Sequence, residues 1–588
     1  MNVSRLSRRG FLASAAAASI GSAQTRTRPN IVIILADDQG WGDLSVHGNR
    51  NLATPNIDSL AKDGVLLERF FVCALCAPTR AEFLTGRYYA RGGVRGVSTG
   101  AERLNLDEVT IADTFKAAGY ATGAFGKWHN GTQHPYHPNA RGFGEYYGFT
   151  SGHWGHYFSP ELDHNGQVVR GKGYVTDDLT DHAMRFMETN RSKPFLCYVP
   201  LNTPHSPMQV PDKYWDRFAS KPMEMRARDS DREKEDITMT RAAMAMCENI
   251  DHNVGRILKK LDDLTLRDNT IVLYFSDNGP NSWRWNGGMK GRKGDLDEGG
   301  IRSPFLMRWP GKIKAGSRVT QIAGAIDLLP TFADLAGVPL ISKKPLDGKS
   351  LKPLLVGTGG EWPDRMIFTL ANRNRVTVRT QQYRLGPDGQ LFDMAVDPEQ
   401  RSNIAAQKPE LAAKLRQAAS AWGDEMFPLV GPDDRPYPVG HHKTTMLPAR
   451  DGVNHGKIER SSRHPNDSFF TNWTSTADSI TWDVEVGRAA DYSVEIYYTC
   501  PAADVGSSIE VSFLGASVKG KVSQPNDPPL AGKESDRVER TESYVKDFKP
   551  LRLGNISLKR GRGLLTLKAT DIPGKQVADL RHLVLRLA

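Results

Sequence analysis

The chain has 588 residues, 39% of them hydrophobic and 24% charged, which excludes a disordered polymer and suits a soluble globular protein of roughly two to four domains. Five cysteines argue against a disulfide framework, and no apolar run is long enough to cross a bilayer as a helix. The net charge of +10 favours an anionic substrate or an acidic polymer, with a merely solvated basic surface as the other reading; no nucleic-acid-binding motif accompanies it.

Residues 1–23 stand apart. Ser7-Arg8-Arg9-Gly10-Phe11-Leu12 precedes an apolar run from Ala13 to Ile20, and Gly21-Ser22-Ala23 offers small residues for cleavage. The pattern resembles a twin-arginine export signal. It implies the twin-arginine export machinery as a partner, transport of an already folded protein, and a periplasmic or secreted location.

Asn30–Ala36 is a continuous apolar, β-branched run that reads as a buried parallel strand. Asp37 and Asp38 follow it, where open α/β sheets place their ligand crevices, and Gly40-Trp41-Gly42-Asp43 turns the chain. Pro55 opens a helix that runs to Ala61. In Cys76-Ala77-Pro78-Thr79-Arg80 the proline suits a first helical turn; Ala81 to Leu84 continues the helix and Gly86 stops it. Cys76 is thereby placed at a helix N-terminus, where free N–H groups favour negative charge, with Arg80 one turn on and facing back. Spacing alone shows a cysteine in an electropositive niche. A buried structural cysteine, or a redox or zinc pair with Cys73, remains open, although there is no second C-x-x-C for zinc and no thioredoxin-like context.

Thr110–Ala118 reads as a helix and Ala121–Gly126 as a strand ending on Lys127-Trp128-His129. Residues 141–149 read as a turn-rich loop. His153-Trp154-Gly155-His156 has H-x-x-H spacing and reads as a pocket wall, a zinc pair or plain loop packing. Then come a helix (Asp177–Thr189), a strand (Phe195–Leu201) ending on Asn202-Thr203-Pro204-His205, a long helix (Ala242–Leu261) and a strand (Thr270–Phe275) ending on Ser276-Asp277-Asn278-Gly279. Four strand ends therefore carry polar side chains, and the alternation argues for an α/β fold: a large, mostly parallel sheet flanked by helices. Phe305–Trp309 and Asp327–Gly337 add a strand and a helix, closing a domain over residues 24–364.

Residues 365–426 read as a small antiparallel subdomain with a helix from Pro409 to Trp422, and 427–454, rich in Pro, Gly and His, as a linker. From 455 to 588 the apolar residues alternate (Ile480, Trp482, Val484, Val486; Tyr492, Val494, Ile496, Tyr498), which predicts an appended β-sandwich. That module looks similar to galactose-binding-like carbohydrate modules. Its removal is expected to weaken polymer binding and to leave turnover of any small substrate intact.

Asp37, Asp38, Asp277 and Asn278 supply hard oxygen ligands from two strand ends, the preference of Ca²⁺ or Mg²⁺; helix capping or turn formation is the alternative. A metal there would act as a Lewis acid on an anionic substrate that these acids would otherwise repel.

Several spaced blocks over about residues 29–425 resemble the type I, formylglycine-dependent sulfatases of the alkaline-phosphatase-like superfamily. They are Asp37-Asp38 with Gly40-Trp41-Gly42-Asp43; Cys76-Ala77-Pro78-Thr79-Arg80 with Leu84-Thr85-Gly86-Arg87; Gly126-Lys127-Trp128-His129; Pro204-His205; Asp277-Asn278-Gly279; and Lys293-Gly294 with Glu298-Gly299-Gly300-Ile301-Arg302. The resemblance implies that Asp37, Asp38, Asp277 and Asn278 bind a metal, Ca²⁺ before Mg²⁺. It implies that a formylglycine-generating enzyme oxidises Cys76 to formylglycine, whose hydrate attacks sulfur. Arg80, Lys127 and His129 would hold and polarise that residue; His205 and Lys293 would grip the sulfate, one of them protonating the leaving oxygen. Lys290 and Arg292 lie close to Lys293, and the choice among them rests on the Glu298-Gly299-Gly300 block. Thr79 departs from the serine, and Ser303 from the valine, that many members carry. The implied activity is hydrolysis of sulfate esters of a carbohydrate, or of aryl sulfates. The alternatives are a phosphodiesterase or phosphonate monoester hydrolase of the same superfamily, or a non-catalytic glycan-binding protein.

Overall fold

The computed structural model describes residues 28–226, 229–357, 362–371 and 375–588; the export-signal reading of residues 1–23 lies outside the described residues. Asn30–Ala36 sits in the middle of a ten-stranded sheet, parallel to Phe195–Pro200 on one side and to Thr270–Ser276 on the other. Ala121–Lys127 continues the parallel set beyond Phe195–Pro200. Phe305–Arg308 runs antiparallel beside Thr270–Ser276, which makes the sheet mixed.

Both faces of the central strand are covered, as its unbroken apolar run requires. Val32, Ile34 and Ala36 pack with residues of the helices Val175–Thr189 and Ile237–Asp263. Ile31, Ile33 and Leu35 pack with Phe83, Leu84, Phe115 and Leu328 on the opposite face. Covered on both faces, the sheet leaves its strand ends as the place for polar groups. The register aligns Ala36 with Ser276, so Asp37 and Asp277 leave neighbouring strands side by side, about 5 Å apart at the backbone.

Two expectations change. Residues 145–149 form a strand, Glu145–Phe149, parallel to Ala121–Lys127. Tyr146, Tyr147 and Phe149 are all buried, so both faces are apolar and no alternation marks the strand. Gly148 is what lets it lie there: a Cβ would meet the Gly126 carbonyl oxygen at 2.0 Å. Within the stretch read as a linker, Tyr437–Val439 pairs with Ser479–Val486 and Thr444–Pro448 pairs with Asp579–Leu587. Short strands containing Pro438 and Pro448 are tolerated at sheet edges, and their proline-rich composition hid them.

Ile367–Ala371, Arg375–Arg379, Tyr383–Leu385 and Leu391–Asp393 form a four-stranded antiparallel sheet, against which the helix Pro409–Met426 packs. Two six-stranded sheets form the C-terminal β-sandwich, with Trp473, Trp482, Ile480, Ile496, Leu567 and Leu583 in its core. No helix among the described residues is long and apolar enough to cross a membrane. All five cysteines are buried and free.

The helix Cys76–Thr85 is buried along its whole length, ending at Gly86 in the left-handed region. Burial pushes the Glu82 carboxyl up to about 8. The folded state thus holds a proton that the unfolded chain releases near pH 4.5, and this group's contribution to stability falls between about pH 4.5 and about pH 8, by up to about 1.4 kcal/mol per pH unit. Glu82→Gln is expected to remove that slope. Its thermal midpoint relative to wild type should rise steadily with pH across this window; a difference independent of pH would contradict the assignment.

Candidate active site

Asp37 and Asp38 leave the end of Asn30–Ala36, and Asp277 and Asn278 leave the end of Thr270–Ser276. Asp38 adopts a left-handed backbone, φ 65°, a conformation that Asp tolerates better than most residues, and its N–H donates to Asp277 Oδ1 at 3.2 Å. Gly279 follows where a Cβ would strike the Gly299 carbonyl oxygen at 2.1 Å. Asn278 Nδ2 donates to Asp38 Oδ1 at 2.8 Å, while its Oδ1 is buried without a partner. Cys76 Sγ lies 3.5 Å from Asp37 Oδ1 and 3.9 Å from Asp38 Oδ1. Asp37, Asp38, Cys76 and Asp277 each present an atom within 4.8 Å of the others.

Cations surround this cage. Arg80 Nη2 and Nε donate to Asp277 Oδ2 at 2.8 and 3.2 Å, and Nη1 donates to the Lys127 carbonyl at 2.7 Å. Lys127 Nζ donates to Asp37 Oδ2 at 2.7 Å. Lys293 Nζ lies 2.7 Å from Asp38 Oδ1, and His205 Nε2 is 3.5 Å from Asp38 Oδ2. Gly126 brings the Lys127 backbone in close: a Cβ there would overlap the Pro200 carbonyl oxygen at 1.8 Å.

Nine of the ten sequence-chosen residues thus meet in direct contacts. His129 stands one step back. Its Nε2 is 2.8 Å from the Val97 carbonyl oxygen, its Nδ1 has no partner, and it makes no hydrogen bond to Cys76. Lys293, rather than Lys290 or Arg292, reaches the cage: Lys290 pairs with Asp297, and Arg292 Nη1 donates to the Asn281 carbonyl.

The charges shape one another. Burial alone would raise the Asp37 carboxyl, but Lys127, His205 and Arg80 outweigh it and hold it below the usual range. Asp277 is pushed up to about 6 by burial and then by the Asp37 charge. Burial and the Asp277 carboxylate push the Cys76 thiol up, so its thiolate, the nucleophilic form of cysteine, is disfavoured here. His129 lies well below its ordinary value through burial and then Lys127.

Three carboxylates converge on one point as a hard-oxygen donor set, which fits Ca²⁺ or Mg²⁺, and Asn278 touches that set through Nδ2, its own Oδ1 buried without a partner. Among the described residues no other group of three or more His, Cys, Asp or Glu converges in this way. The H-x-x-H pair does not: His153 stacks 5.8 Å from His205 with Nε2 buried and unpartnered, whereas His156 lies beside Gly532.

Residues that sequence reasoning left out support the cage from behind. Thr79 Oγ1 donates to the Asp277 carbonyl at 2.6 Å and accepts from the Cys73 N–H at 2.9 Å, tying the cysteine helix to the second acidic strand end. Arg284 donates to both oxygens of Asp43 and to the Asp38 carbonyl. Asp43 belongs to the Gly-Trp-Gly-Asp block, and that was the available signal.

A cysteine-bearing helix start, a metal-type acid cage and a ring of cations suit binding of a tetrahedral oxyanion ester. The sulfatase profile matches residues 29–338, and a profile described as N-sulphoglucosamine sulphohydrolase, C-terminal, matches residues 293–421. N-acetylgalactosamine-6-sulfatase of Canis lupus familiaris is 31% identical over 409 residues, 63% of this chain and 73% of the relative. Arylsulfatase A of Homo sapiens is 32% identical over 439 residues, 66% of this chain and 81% of the relative. The solved structure of Ps i-CgsB in complex with k-i-k-neocarrahexaose is 30% identical with TM-score 0.61, covering 68% of this chain and 93% of that one.

Proposed function

This chain belongs to the sulfatase family and is a sulfuric ester hydrolase, and from that premise we propose that it is an exported enzyme removing sulfate from a sulfated carbohydrate through a formylglycine made from Cys76. The observation that carries this reading is the meeting of Cys76 with three buried carboxylates, Asn278 and the cations Arg80, Lys127 and Lys293. The carbohydrate is supported by the names of relatives, an N-acetylgalactosamine-6-sulfatase and a protein bound to a neocarrahexaose, and by the appended β-sandwich. Export rests on residues 7–23 of the sequence.

In this reading Asp37, Asp38, Asp277 and Asn278 hold Ca²⁺, with Mg²⁺ as the alternative, and the ion supplies Lewis-acid neutralisation of a sulfate oxygen. Cys76, as the aldehyde hydrate, presents a hydroxyl to sulfur. Arg80 braces Asp277 and the Lys127 carbonyl, so the helix carrying position 76 cannot drift from the cage. Lys127 sits on the Asp37 side; Lys293 and His205 sit on the Asp38 side, where their side chains are 21% and 10% exposed. Those two are placed to hold the substrate's sulfate oxygens, and His205 can carry the proton to the leaving alcohol.

Rates on matched sulfate and phosphate monoesters test the class. The expected result is a kcat/KM at least about a hundredfold higher on the sulfate, about 2.7 kcal/mol of discrimination. A strong preference for phosphate or phosphonate esters would overturn it.

A further inference from the structure

The β-sandwich reaches the open side of the site, and two anchors place it there. On the His205 side, Ser206 Oγ donates to the Glu542 carboxylate. On the His129 side, Asn466 Nδ2 donates at 3.4 Å to the Val97 carbonyl, the oxygen that His129 Nε2 also contacts, and Ser151 Oγ donates to Asn466 Oδ1 at 3.4 Å. Between these anchors runs the segment Ser461–Asn466. It is pinned to the Glu542 loop by Ser461 Oγ to Ser543 Oγ at 2.6 Å and Ser462 Oγ to the Thr541 carbonyl at 3.0 Å.

That segment carries Arg463 and His464. Arg463 is exposed, and its Nε donates to His464 Nε2 at 3.3 Å; no carboxylate pairs with its guanidinium among the described residues. His464 lies within electrostatic range of both His153 and Glu542. The sulfate is reached on the side where Lys293 and His205 keep some exposure, and the sandwich borders the His205 edge of that side. A guanidinium without a carboxylate, on a segment anchored to the Glu542 loop and, through Asn466, to the His129 side of the site, suits two-point recognition of a second anion.

We propose that the β-sandwich is part of the active centre, with Arg463 and His464 forming a subsite for a second anionic substituent, a sulfate or a carboxylate, on the leaving-group side of the substrate. The proposal rests on the sulfatase reading above. It also revises the expectation that residues 455–588 can be removed without effect on small esters: Ser206, beside His205, loses its Glu542 partner when they go.

The test uses the full-length protein and four probes: 4-nitrophenyl sulfate, a singly sulfated disaccharide, the same disaccharide with a second sulfate, and the same with a uronate. Arg463→Glu is expected to lower kcat/KM on one or both dianionic disaccharides at least about tenfold more than on 4-nitrophenyl sulfate or the singly sulfated disaccharide. Which dianionic probe is lost identifies the second anion, and Arg463→Lys is expected to recover part of the loss. Equal losses on all four probes, or no loss on any, would overturn the subsite. Arg463 is exposed, so its variants keep the fold, and a thermal midpoint within about 1 °C of wild type checks that. Wild type inactive on every sulfate ester would instead sink the parent reading, and the subsite with it.

Discussion

Cys76→Ala is expected to reduce sulfate-ester turnover by at least about ten thousandfold, the scale on which enzymes lose activity when the nucleophile itself is removed. The fold should survive. Cys76 is buried at the first position of its helix, and Thr79 and Arg80, which tie that helix to Asp277, are untouched. Equal thermal midpoints for variant and wild type would show that chemistry, not folding, was lost. Peptide mass spectrometry of the active protein should find an aldehyde in place of the thiol at position 76. The thiol is a poor nucleophile where it stands, because burial and Asp277 both oppose its ionisation. Active protein that retains a thiol at Cys76 would end the formylglycine reading.

Removal of divalent metal is expected to cost activity at least about a thousandfold, with recovery on adding Ca²⁺. Asp37, Asp38 and Asp277 lie within 4.8 Å of one another at 0–1% exposure. Two like charges at about 4 Å repel by about 4 kcal/mol at an effective dielectric near 20. Lys127, Lys293 and Arg80 offset part of this, yet in the proposed mechanism Lys293 and His205, which both face Asp38, grip the substrate's sulfate. A divalent ion frees them for that task. It should also stabilise the fold, by about 2.7 kcal/mol at a hundredfold excess over Kd. Thermal midpoints with chelator and with Ca²⁺ therefore provide a readout independent of turnover. Asp38→Asn should weaken both effects, and an unchanged midpoint together with full activity in chelator would refute the cage as a metal site.

Much of this site was legible because its parts are local. Unbroken apolar runs mark Asn30–Ala36 and Thr270–Ser276 as buried strands, and acids directly after such runs mark the strand ends where a sheet of this kind gathers its polar groups. Pro78 and Gly86 bracket the cysteine helix in the same way. Other features left no local mark. Glu145–Phe149 is apolar on both faces and short, so it has neither alternation nor length to identify it. Tyr437–Val439 and Thr444–Pro448 look like linker because edge strands accept proline. His129 sits in a recognisable block, but its partner is the Val97 carbonyl, a backbone atom that carries no side-chain signature.

The sequence by itself determined which residues end the strands of the large sheet, where the cysteine helix starts and stops, and that a β-sandwich follows, since each depends on patterns within a few neighbouring residues. Only the tertiary structure decided that the register sets Asp37 beside Asp277, that Asn278 Oδ1 is left without a partner, and that Ser206 meets Glu542 across 336 residues of chain. The reason is physical: hydrophobic periodicity specifies which face of an element is buried, whereas docking of one domain on another depends on the matching of surfaces far apart in sequence, about which local periodicity carries no information.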